Sequence, residues 1–457
     1  MVTGPPPPGR PLPAPPARRR RPTVARSPSD GNAVCPVHLL SVPPQGHPGV
    51  RAASAPTTGG ADMAGETSPL GPARVCHLAP PGGADERVTE LCTALLSGFQ
   101  RYEQRIRARQ YMDGLLRTQG RKSIANIATT VGAPGDEHRL RHFVSRSHWA
   151  VETVRQALTA FLEESGPATA WVALPVSIPK GGEHTVGVSR HLSPDGSRVV
   201  NGQRALGVWY ASECVVAPVS WRMELSDDLP AAVRSTGSGP AREGSPAPRD
   251  CLRELLDDVR RWGTPGPPVL MDGRGQDEPG RLAALFAGRT PAAARIDGWT
   301  PLAGCHRTGH SRHAVAARDA LSPTRRTHRR GRDGSRGHRP VATATATVRL
   351  AETGNRHPQK DRRLTLLGVW HEAGPEPGEL WLTNLDEQAA DSLLPSTRLL
   401  HAVGDGWRTR GPKVGLCDYE GRSLHGWHRH MTLASGAYAM SALSSSSDQA
   451  GSSGRSA

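Results

Sequence analysis

Phosphodiester chemistry by paired divalent cations needs carboxylates that converge on one point. They hold the ions about 3.5–4 Å apart, so that one ion activates the attacking oxygen and the other stabilises the leaving one. Mg²⁺ keeps most of its water, so a few carboxylates are enough. One aspartate of this sequence stands where such chemistry needs it. Asp272 directly follows the apolar run Val269-Leu270-Met271 and precedes Gly273. That context places it at a strand end beside a flexible turn, and ligands of α/β sheets gather outside such ends. Read by itself, the position also suits an ordinary turn aspartate.

A second set of side chains has the types that grip nucleic acid. Between Tyr419 and His430 the chain carries Arg422, His425, Trp427, His428, Arg429 and His430. The Arg and His side chains suit phosphates and Trp427 suits a base face. The same residues equally allow Trp427 and Tyr438 to pack a terminal helix. Lys180, between Pro179 and Gly181-Gly182, is either a phosphate contact or a turn lysine. Arg139, Arg141 and Arg146 lie near the second of two short helices around Gly132-Ala133-Pro134-Gly135, a helix-turn-helix-like pattern.

The bulk properties agree with a polyanionic partner. The 457 residues carry a formal net charge of +15, which favours DNA, RNA or an anionic surface. All basic residues but Lys122, Lys180, Lys360 and Lys413 are arginine, however, as a GC-rich genome alone would produce. Seven scattered cysteines without a CxxC pair fit a reducing cytoplasm. No apolar run approaches membrane-spanning length, so the sequence predicts a cytoplasmic, nucleoid-associated protein with no membrane partner. His306, His310 and His313 with Cys305 lack a second ligand pair at finger-like spacing and do not predict a zinc site.

The elements that must position these residues follow from periodicity. Residues 1–83, rich in Pro, Gly, Ala and Arg, predict a disordered tail. Val88, Leu91, Cys92, Leu95, Leu96 and Phe99 repeat at helical spacing, and the helix is expected to run on to Leu116. Ser123–Val131 reads as a short helix. Asp136 suits the cap of the next helix, and Trp149–Glu164 forms a third. From Ala170 the pattern turns to strands at 171–174, 185–188 and 205–216. A helix over Cys251–Trp262, a strand at Pro268–Met271 and a helix at Pro279–Phe286 follow, an α/β order. Residues 301–340, dense in Arg and His, are expected as a basic loop. Strands are expected at 341–350, 363–370 and 379–384, a helix at 388–400, a further helix ending near Met440, and a disordered Ser/Gly-rich tail from Ser441.

Four stretches carry a family resemblance. They are Ile178-Pro179-Lys180-Gly181-Gly182-Glu183-His184-Thr185-Val186-Gly187-Val188, Asn201-Gly202-Gln203-Arg204 with Trp209-Tyr210-Ala211-Ser212, Glu379-Leu380-Trp381-Leu382-Thr383-Asn384-Leu385, and the block from Val414 through Gly421-Arg422-Ser423 to Leu433. With these the chain resembles insertion-sequence transposases carrying a DDE superfamily endonuclease domain, of the kind common in actinobacteria, over about residues 90 to 440. The resemblance implies an RNase H-like mixed α/β sheet with flanking helices. It would occupy 167–300 and 341–440, behind a small helical domain at 84–166 that suits DNA binding.

It also implies inverted-repeat binding, DNA cleavage and strand transfer on double-stranded DNA. Mg²⁺ or Mn²⁺ is the implied cofactor and a homo-oligomer on DNA the implied assembly. Asp272 then resembles the second catalytic and metal-holding acid. The first falls on Leu174-Pro175, neither of which binds a metal. The third falls on Gly404 or Asp405, so Asp405 is the candidate, in a segment that Gly406, Gly411 and Pro412 make a poor helix. The sequence therefore predicts a transposase with impaired catalysis, with a catalytically inactive DNA-binding remnant as the alternative.

Overall fold

A computed structural model describes residues 84–194, 196–225, 248–263, 266–275, 278–306, 309–321, 342–351, 362–371 and 374–453. The predicted tail at 1–83 and residues 307–308 and 322–340 of the basic stretch lie outside the described residues.

Five helices open the described chain: α1 (Ala84–Ser97), α2 (Tyr102–Arg117), α3 (Ile124–Thr130), α4 (Glu137–Ser145) and α5 (Val151–Glu164). Leu91, Leu95 and Phe99 are fully buried, as apolar residues recurring once per turn require. The helix expected to continue to Leu116 is two helices. The chain breaks at Gly98, where a Cβ would stand 3.1 Å from Val154. Ser123 caps α3 by accepting from the Asn126 amide at 3.2 Å. Asp136, expected as a cap, makes no cap bond. Its carboxylate instead accepts from Arg139 at 2.9 Å and pairs with Arg107.

Eleven strands form a single sheet in the order β2-β3-β1-β5-β6-β11-β10-β9-β7-β8, with β4 also on β3. They are β1 (Ala170–Pro179), β2 (Val188–Leu192), β3 (Val199–Ala211), β4 (Val216–Glu224), β5 (Val269–Asp272), β6 (Ala292–Ile296), β7 (Pro301–His306), β8 (Gly309–Ala316), β9 (Ala342–Leu350), β10 (Leu364–Trp370) and β11 (Glu379–Thr383). β1 pairs antiparallel with β3 and β3 with β4, whereas β1, β5 and β6 run parallel. This mixed sheet with flanking helices is an RNase H-like α/β fold.

The remaining helices are α6 (Pro248–Trp262), α7 (Glu278–Leu285), α8 (Ala317–Ala320), α9 (Glu387–Ala390), α10 (Leu394–Thr409) and α11 (Leu424–Ser453).

Several expectations change. The strand expected at 185–188 starts only at Val188, and the one expected at 205–216 is a hairpin joining β3 to β4. Within the stretch expected as a basic loop, Pro301–His306 and Gly309–Ala316 pair antiparallel as β7 and β8. The Ser/Gly-rich segment after Ser441 continues α11 to Ser453. The segment expected to be a poor helix is regular α10 through Gly404 and Gly406. Gly406 serves packing here: a Cβ would stand 2.2 Å from the Tyr438 hydroxyl on α11.

Candidate active site

Side chains in a sheet alternate between faces, and directly paired residues share a face. The pairs Gly207↔Trp221, Leu174↔Gly207, Asp272↔Arg295 and Arg295↔Trp381 align in one row across the sheet. Between β1 and β5 the register runs to Ala173↔Met271, so the next step sets Leu174 beside Asp272. The row therefore reads Trp221, Gly207, Leu174, Asp272, Arg295, Trp381. Gly207 permits it, because a Cβ there would meet the Trp221 ring at 2.6 Å. Helix α10 lies over the same face. Its Trp407 ring is 5.7 Å from that of Trp221, and its His401 meets Arg295 with nitrogens 2.8 Å apart.

Asp272 sits at the end of β5, as the apolar run before it dictates. Its carboxylate is bound by Arg274, which donates from Nε to Oδ1 at 2.8 Å and from Nη2 to Oδ2 at 2.7 Å. This two-point geometry is the strong form of a guanidinium–carboxylate pair. The pair, with Asp297 and Glu379 adding their charges, raises the Arg274 pKa above its usual value. Next in the row, Arg295 also reaches Glu379 at 3.4 Å, and Glu379 accepts from the Trp381 indole at 2.9 Å. Sequence reading missed Arg274, Arg295, Glu379 and His401. The one available signal was the Asp-Gly-Arg spacing at 272–274, where the Arg274 amide donates to Asp272 Oδ1 at 3.3 Å and the side chain folds back onto the carboxylate.

Asp405 lies on α10, one turn beyond His401. Its side chain is 68% exposed and accepts from Arg408 at 2.5 Å. Asp272 and Asp405 thus each hold an arginine of their own. Among the described residues no group of three or more His, Cys, Asp or Glu is able to hold a metal ion. The row offers one carboxylate, already neutralised, between a leucine and an arginine. These residues do not fit a two-cation centre.

The residues expected at nucleic acid fall into two groups. Arg422 and His425 are exposed, as are Arg139, Arg141 and Arg146. Trp427, His428, Arg429 and His430 are buried, so the expectation that they face phosphates and a base is corrected. His428 nitrogen Nδ1 lies 3.2 Å from Arg155. Arg429 donates to the Val144 carbonyl at 3.3 Å. His430 Nε2 lies 2.8 Å from the Gly415 carbonyl, and its Nδ1 lies 2.9 Å from the Tyr111 hydroxyl. Because a carbonyl only accepts, Nε2 carries the proton and Nδ1 accepts from Tyr111. Burial pulls the His430 pKa down to about 4 and drives that of His428 well below the usual value.

Lys180 follows the end of β1. Its ammonium donates to the Cys417 carbonyl at 2.6 Å and the Tyr419 carbonyl at 2.7 Å. Desolvation lowers its pKa to about 8. The side chain is a tie between β1 and the 415–421 segment.

In this row Asp272, at the end of β5, is flanked by Leu174 on β1 and Arg295 on β6, and α10 lies over the same face. Residues 94–277 match the family model described as DDE superfamily endonuclease, so over that stretch the chain is similar to that family. None of the curated proteins compared matches the chain. No described helix is long and apolar enough to cross a membrane.

Proposed function

We propose that the chain is a DNA-binding protein of transposase descent whose strand-transfer centre is disabled. The row at Asp272 carries the proposal. Two-metal chemistry needs at least a second carboxylate beside it, and that place is taken by Leu174 on one side and Arg295 on the other. Arg274 supplies in covalent form the positive charge that a cation would bring. DNA binding is supported by the net charge of +15 and by the exposed Arg139, Arg141, Arg146 and Arg422, which suit phosphates without needing a metal.

The test uses the full chain with duplex DNA bearing matched inverted repeats. The expected result is a mobility shift that persists in EDTA and weakens steeply with salt, with no nicking in Mg²⁺ or Mn²⁺. Robust metal-dependent cleavage that Asp272→Ala abolishes would sink the proposal.

A further inference from the structure

Helix α2 packs on one side and is open on the other. Its inner side carries Ala108, Tyr111, Met112 and Leu115, all buried. At 3.6 residues per turn, Tyr102, Arg105, Ile106 and Arg109 share the outer side, and all four are exposed. Tyr102 is 71% and Ile106 38% exposed, one turn apart. Single apolar side chains in solvent are ordinary. The charges around this pair are what set it apart.

Arg101, which precedes the helix, is exposed beside Arg105 and Arg109. Among the described residues none of these three arginines meets a carboxylate. Arg105 donates from Nε to the Phe99 carbonyl at 2.9 Å, which holds that guanidinium at the start of the helix. Further along the same side, Asp113 is engaged by Arg117 at 2.9 Å. Glu103 projects about 100° away from Tyr102. Other arginines of the helical region are compensated: Arg107 pairs with Asp136, and Arg141 with Glu137. The outer side of α2 therefore presents three positive charges around an apolar pair.

We propose that this side of α2 lies against duplex DNA, its arginines on phosphates and Tyr102 and Ile106 on the apolar sugar and thymine methyl groups of the groove. The proposal rests on the DNA-binding reading above and gives it a contact surface. Charge selects the occupant, since arginine is the usual partner of phosphate oxygens and the major groove admits a helix. A second copy of the chain fits this surface poorly. A two-fold contact sets a patch on its own image, here three arginines against three.

Anisotropy of a labelled duplex, titrated with the full chain in EDTA over a series of salt concentrations, tests this. Arg101→Ala and Arg109→Ala should each weaken binding and lower the logarithmic salt slope by about 1. The double variant Tyr102→Ala/Ile106→Ala should weaken binding at least about threefold with the slope unchanged, because apolar contacts release no counterions. Arg289→Ala removes the same charge from an exposed position between α7 and β6 and should change neither. The α2 positions are all exposed, so their variants should melt with the wild type. Equal losses in Arg289→Ala and Arg109→Ala would reduce the effect to overall charge and overturn the proposal. Full DNA affinity in the double variant overturns it too, and if that variant also loses self-association by analytical ultracentrifugation, the surface belongs to a second copy. A wild type that binds no duplex defeats the DNA-binding reading itself, whereas wild-type binding that every α2 variant retains defeats this surface alone.

Discussion

Leu174 and Asp272 stand side by side on neighbouring parallel strands, one step beyond the paired Ala173 and Met271. A second acid in place of the leucine would sit a strand spacing away, about 4.8 Å, within reach of a bridging cation pair. Arg274 closes the remaining side by holding both oxygens of Asp272.

The double variant Leu174→Asp/Arg274→Ala should therefore gain affinity for Mn²⁺ by tenfold or more over the wild type, read by titration of the free ion with electron paramagnetic resonance. Arg274→Ala alone should gain less, since a single carboxylate is a weak site for a hard cation. Equal Mn²⁺ affinity in wild type and double variant, with both folded by circular dichroism, would contradict this account of the row.

Lys180 separates a structural tie from a DNA contact. It donates to two carbonyls of the 415–421 segment, and charged hydrogen bonds contribute about 1.5–3 kcal/mol each. Lys180→Met should lower the melting temperature by several degrees while the salt dependence of DNA binding stays unchanged. Loss of a phosphate contact would instead reduce the logarithmic salt slope by about 1.

The elements most legible in the sequence were those whose period is clean. Leu91, Leu95 and Phe99, or Val269 to Met271, need only local rules. β4 escaped because Pro218 interrupts it. The structure accommodates Pro218 opposite Trp209, at a register shift in the β3–β4 ladder, the kind of irregularity at which a strand tolerates proline. α10 was misjudged for the reverse reason: Gly406 reads as a breaker, but its missing Cβ is what admits Tyr438. At the site, Asp272 was legible from its strand, whereas Arg274 was not, because the target of a residue past a strand end depends on where the chain leads next. The run Trp427 to His430 resembled a nucleic-acid patch by composition. A helix enclosed on all sides buries its polar residues too, and that enclosure is visible only in the tertiary structure.

Arg422 and Trp427 make that distinction measurable. Trp427 is fully buried, and truncating a buried tryptophan costs about 3–5 kcal/mol. Trp427→Ala should lower stability strongly by urea titration. Arg422→Ala, at an exposed position, should leave the urea midpoint within error and weaken DNA binding about equally for all sequences. If Arg422→Ala destabilises the chain and leaves DNA affinity intact, the exposed end of this block has no part in binding.

His430 gives the fold an acid limit. Its pKa is about 4 in the folded protein, against about 6.5 in an unfolded chain. Below 6.5 the unfolded chain binds a proton that the folded protein refuses, so acid favours unfolding. The contribution is complete above pH 6.5, is lost as the pH falls, and is fully gone below about 4. The slope approaches about 1.4 kcal/mol per pH unit in that window, on the order of 3 kcal/mol in all. His428, also held neutral by burial, acts in the same direction. Wild-type stability by urea titration should therefore drop between pH 6.5 and 5. His430→Gln keeps a donor for the Gly415 carbonyl and an acceptor for Tyr111, and should start lower at pH 7 but decline less steeply. Parallel pH profiles for the two proteins would show that His430 is not the group that titrates.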